Sequence, residues 1–91
     1  MMRADDLEHA VALANQTGYG LTAGLESLDV REQAYWKAHL RAGNLYINRG
    51  CTGSMVARQA FGGFKMSGIG RELGIRGLDA YSETKTVTVA L

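Results

Sequence analysis

An α/β fold follows from three features of the sequence. Two stretches of helical periodicity alternate with two short strand-like runs over residues 1–48, an order that favours parallel or mixed strand pairing. A stretch from Gln59 to Gly74 is too rich in glycine for a helix and too apolar for a solvated linker. The last residues, Thr84 to Leu91, alternate and are β-branched, yet no strand precedes them by a tight turn. Together these imply an α/β unit, residues 1–82, that closes over something larger than itself, followed by a terminal strand, residues 83–91, that pairs elsewhere.

Composition narrows the classes. Ninety-one residues allow one small domain, and 46% apolar content is that of a globular chain. A formal net charge of +1 gives no reason to expect nucleic acid or an anionic membrane as partner. No apolar run is long enough to span a bilayer, and the start Met-Met-Arg-Ala-Asp-Asp has no signal-peptide core. One cysteine makes no internal disulfide, which fits a reducing cytoplasm. Cys51, His9 and His39 share no ligand spacing, so no metal site is expected.

Taken in order, Asp5 is expected to cap a first helix, with Glu8 three residues on. Leu7, Ala10, Val11 and Ala14 form its apolar stripe, and Gly18 suits the left-handed position that ends it. Leu21, Ala23 and Leu25 alternate as a short strand. Asp29 caps a second helix running to about Arg41, with Val30, Ala34 and Ala38 on one face widened by Tyr35, Trp36 and Leu40, and Gly43 closing it. Asn44 to Asn48 reads as the next strand. Gly50 to Ser54 and Gly62 to Gly70 read as loops. Leu73 to Tyr81 is helix-like despite Gly74 and Gly77, each costing about 1 kcal/mol relative to Ala. His9, His39 and Lys65 read as surface residues, and Tyr35 and Trp36 as helix packing.

Two motifs invite chemistry. Gly68, Gly70 and Gly74 have the spacing GxGxxxG rather than GxGxxG, and no suitable strand runs into them, so a turn aiming Arg71 and Glu72 inward is expected instead of a phosphate cradle. Thr52-Gly53-Ser54 follows a strand end, where small residues leave backbone N–H groups open to a carboxylate, or make a plain tight turn.

The strings FGGFKMSGIGREL and GLDAYSETKTVTV, with YGLTAGLES and AGNLYINRG upstream, resemble the C-terminal part of the aldehyde dehydrogenase superfamily over essentially the whole chain. The resemblance implies an NAD- or NADP-dependent oxidation through a cysteine nucleophile and a glutamate base. In that family both lie upstream, with the nucleotide-binding domain. Cys51 matches no nucleophile motif, so no catalytic residue is assigned here and the chain alone is expected to bind no cofactor. GNLYINRGCTG is similar to the branch that oxidises glutamate semialdehyde, the open form of pyrroline carboxylate, in proline degradation. There Gly53 and Ser54 would hold the substrate carboxylate and Phe61 would supply the aromatic of the aldehyde pocket. Ala60 replaces that branch's proline, and the tail beyond Gly70 resembles the general aldehyde dehydrogenases instead. Arg71 and Glu83 fall at positions that resemble a charged pair near the family's subunit interface, and Val87 and Val89 would face a second subunit, making a homo-oligomer. The expected role is pocket wall and interface, with the rest of the enzyme supplying the reacting groups. An interaction module from a truncated gene is the reading of another class. A reading frame upstream of Met1 with a cysteine nucleophile separates the two.

Overall fold

A computed structural model describes residues 1–50 and 56–91. The elements run α1 (Leu7–Asn15), β1 (Tyr19–Gly20), β2 (Thr22–Leu25), α2 (Val30–His39), β3 (Asn44–Ile47), β4 (Phe64–Lys65) and α3 (Gly74–Ala80). β2 and β3 pair in parallel, Ala23 against Leu45 and Leu25 against Ile47. The α/β reading and the parallel pairing therefore stand.

Burial explains this half of the chain. Strand side chains alternate between faces, so Ala23, Leu25, Leu45 and Ile47 all point one way. On that face they pack against a core of Val11 from α1, Trp36 from α2 and Leu40 just past its end. The helical stripe of α1 is as expected at Leu7, Ala10 and Val11, while Ala14 is exposed. The face of α2 is not. Val30, Ala34 and Ala38 are exposed, and Trp36, Tyr35 and Leu40 turn inward. A helix can bury only one stripe, and an indole removes far more apolar area from water than two alanine methyls.

The helix ends also differ from expectation. Asp6, not Asp5, caps α1, its Oδ1 accepting from His9 N at 2.7 Å. Asp29 caps α2 as expected, accepting from Arg31 N at 2.8 Å. The Arg31 side chain, followed by its backbone N–H, holds the Asp29 carboxyl below the usual carboxylate range. α2 stops at His39 because Leu40 turns extended, ψ 132°, so Gly43 does not end it. Gly18 is not left-handed, and α1 closes through other residues: Lys65 Nζ donates to the carbonyls of Asn15 and Thr17, both at 2.9 Å. Lys65 is thus a helix cap rather than a free surface charge. The Asn15 side chain serves α2 in turn, donating to the His39 carbonyl and accepting from Arg41 N, both at 2.9 Å. Asn48 leaves β3 in the left-handed region, φ 55°, which asparagine tolerates, and its amide pairs with the backbone of Ser27.

Within the expected Gly62–Gly70 loop lies β4, antiparallel to β1 with Tyr19 opposite Lys65 and Gly20 opposite Phe64. α3 covers most of the helix-like segment, with Gly77 buried against Glu72. The expected strand at Thr84–Leu91 does not form: residues 82–91 have no secondary structure and are exposed. A strand exists only when its backbone finds a ladder, and this chain provides none there. The molecule is correspondingly long, 67 × 24 × 22 Å. Among the described residues no helix is long and apolar enough to cross a membrane.

Candidate functional site

The face of the β2–β3 pair opposite the helices carries Asn44 and Tyr46, by the same alternation that sends Leu45 and Ile47 inward. Segment 56–61 lies over this face and leaves a cleft of about 220 Å³ bounded by Asn44, Tyr46, Val56, Gln59, Ala60 and Phe61. A second cleft, about 370 Å³, opens on the other side of Phe61 between the glycine-rich segment and the end of α3, with Leu21, Ser67, Ile69, Arg71 and Tyr81 on its walls. Phe61, expected as a pocket aromatic, is half-buried and lines both cavities.

Its position is set by backbone. Phe61 N donates to the Glu72 carbonyl at 2.8 Å and Glu72 N donates to the Phe61 carbonyl at 2.6 Å, an isolated antiparallel bridge. The following residue, Gly62, presents its carbonyl to the Asn44 side-chain amide at 2.9 Å. Gly43 packs directly on this turn: a Cβ there would lie 1.7 Å from the Gly62 oxygen, so only glycine fits. Ser67 Oγ accepts from Gly20 N at 2.8 Å. The glycine-rich segment is held by Asn44 and Gly20 from outside it, by Lys65 reaching Asn15 and Thr17, and by Arg71 from within.

Arg71 turns inward as expected, whereas the Glu72 side chain is exposed. The expected ion pair between Arg71 and Glu83 is absent among the described residues. Arg71 Nη1 donates instead to the carbonyls of Gly63 at 3.1 Å and Gly70 at 2.6 Å, and its guanidinium stands 5.2 Å from the centre of the Phe64 ring. Glu83 lies beyond α3 in the exposed tail with Val87 and Val89, out of any ladder that would bring it back. Cys51, Gly53 and Ser54, the loop read as a carboxylate site, lie outside the described residues.

The chemistry of the first cleft is that of a wall. Among the described residues Tyr46 is the single titratable group on it, and none of them brings an acid–base pair or a thiol to the space. The second cleft adds Arg71 and Glu72, but Arg71 is spent on two carbonyls. A nicotinamide dinucleotide does not fit the glycines either. A Cβ on Gly74 would lie 2.6 Å from the Arg58 carbonyl, so this glycine serves packing of its own chain, and α3 starts without a side-chain cap. The strand ahead of the glycines, β4, is two residues long and antiparallel, not the parallel strand of a dinucleotide fold. Sequence reasoning missed Asn44 and Gly43, whose signals were read as a strand start and a helix end.

The sequence profile of the Aldehyde dehydrogenase family matches residues 1–87. The chain is 43% identical over 91 residues to aldehyde dehydrogenase 1A1 of Macaca fascicularis, covering all of this chain and 18% of that protein. It is 44% identical over 89 residues to the mitochondrial aldehyde dehydrogenase of Rattus norvegicus, 98% of this chain and 17% of that one. The crystal structure of betaine aldehyde dehydrogenase from Staphylococcus aureus in complex with NAD+ superposes with a TM-score of 0.78 at 37% identity, over 84% of this chain and 15% of its own. The chain belongs to the aldehyde dehydrogenase family. It spans less than a fifth of the length of these relatives.

Proposed function

We propose that this chain forms part of the C-terminal end of the catalytic domain of an NAD(P)-dependent aldehyde dehydrogenase, where it supplies pocket wall and subunit interface. The observation that carries the reading is the placement of Phe61: an aromatic residue whose backbone is held by two hydrogen bonds to Glu72 and which lines both clefts. Family membership and the NAD+ complex of a similar protein support the cofactor, which the rest of such an enzyme would bind. The relatives named above support the general branch. The narrower assignment to glutamate semialdehyde rests on the resemblance of GNLYINRGCTG to that branch, with Gly53 and Ser54 as the carboxylate holders. The exposed tail with Val87 and Val89 supports pairing with a second subunit, which would complete a ladder this chain leaves open.

Steady-state NADH formation tests the reading. In the enzyme containing this chain, Phe61→Ala lowers kcat/KM for an aromatic aldehyde by about tenfold or more, the worth of one buried aromatic contact. Turnover unchanged by that substitution removes Phe61 from the pocket. Comparing acetaldehyde with glutamate semialdehyde in the same assay assigns the branch: a preference for the simple aldehyde keeps the general reading, and a preference for the semialdehyde moves it to Gly53 and Ser54.

A further inference from the structure

The Asn44 side chain joins carbonyls from two separate parts of the molecule. Its Nδ2 donates to Leu21 O and to Gly62 O, both at 2.9 Å. A carboxamide nitrogen carries two hydrogens, and here each has a partner. Carbonyls only accept, so the position demands a donor. Leu21 O already receives the Asn44 backbone N–H at 3.0 Å. The link between the strands therefore survives without the side chain, and what the amide adds is the bond to Gly62.

Gly62 follows Phe61 directly. On its other side Phe61 is bridged to Glu72 through both of its backbone groups. The backbone that carries the aromatic ring is thus held between the Glu72 bridge and the Asn44 bond, and the close approach of Gly43 to the Gly62 oxygen leaves little slack in the turn. Because Phe61 lines both clefts, a shift of Gly62 moves a residue common to their walls. We propose that Asn44 is a positioning residue that fixes Phe61 and so sets the size of aldehyde the pocket accepts; this rests on the pocket reading given above. Asn44 touches no reacting atom. It acts through the backbone of Gly62.

The test uses Asn44→Ala, which removes the donor, Asn44→Asp, which keeps the shape but turns oxygens toward two carbonyls, and Asn44→Ser, which restores one donor. In the aldehyde-oxidising enzyme, Asn44→Ala and Asn44→Asp lower kcat/KM for a bulky aromatic aldehyde about three- to tenfold, the worth of one net hydrogen bond, and that for acetaldehyde by less than about twofold. Asn44→Ser recovers part of the loss. In a Phe61→Ala background, Asn44→Ala adds nothing further, because the two act through one group. Equal losses on both aldehydes, or fully additive losses, overturn the proposal. A second readout needs no activity: amide exchange at Phe61 and Glu72 speeds up in Asn44→Ala while that at Leu40 in the core stays as it was. Unchanged exchange at Phe61 and Glu72 also overturns it. An enzyme that oxidises no aldehyde at all removes the pocket reading instead, and the exchange measurement still decides whether Asn44 holds Phe61.

Discussion

Between Leu7 and Ile47, Val11, Trp36 and Leu40 keep no more than 7% of their surface, whereas from Val56 to Leu91 only Gly63 and Gly77 are buried. The first region is held by apolar side chains removed from water. The second is held by donors placed on backbone carbonyls: Asn44 on Gly62, Arg71 on Gly63 and Gly70, Lys65 on Asn15 and Thr17. Area drives the one, and close backbone approach drives the other. A region of the second kind tolerates changes of apolar size and fails on changes of shape at its contacts.

Three substitutions probe that division, the largest effect first. Trp36→Ala removes the largest core side chain and costs about 3–5 kcal/mol, read as a lower denaturation midpoint with loss of the helical signal. A cost near 1 kcal/mol means the first region is not burial-driven. Gly43→Ala forces a methyl into the space of the Gly62 oxygen, 1.7 Å away, and costs about 1–3 kcal/mol. Its distinguishing sign is faster amide exchange at Phe61 and Glu72 with the helices of the first region intact. Helical loss as deep as that of Trp36→Ala would merge the two regions into one. Lys65→Met keeps the apolar stem, deletes three donors, and costs about 1 kcal/mol or less, since the ammonium is exposed. Its effect falls on exchange at the end of α1, and an unaffected helix end would deny Lys65 the capping role.

The same division governs what the sequence disclosed. The first region was legible because its signals are local: capping aspartates, a period of 3.6 at Leu7 to Val11, and alternation at Ala23 to Leu25. Even there, the small apolar residues Val30, Ala34 and Ala38 pointed to the wrong face of α2, because pattern counts residues while burial weighs area. In the second region the deciding contacts join residues far apart in sequence. β1 meets β4 across more than forty positions, and Gly43 is glycine because of Gly62. Nothing around Gly43 announces that. It stands where helices often end, and the local explanation was the nearer one. Arg71 was rightly turned inward by its glycine neighbours, but its partners are carbonyls, which carry no sequence signature, and Glu83 supplied a false one. Phe61 was singled out only through the family strings around it.

Asn15 sits where the two regions meet. Its carbonyl receives Lys65 from fifty positions along the chain, and its side chain closes the end of α2 at His39 and Arg41. One residue therefore carries two helix ends by different groups: its carbonyl meets the glycine-rich segment and its side chain meets α2. Withdrawing Lys65 removes a donor from the last turn of α1 and leaves the two side-chain bonds of Asn15 to α2 as they were, so the junction loosens in separable steps rather than all at once.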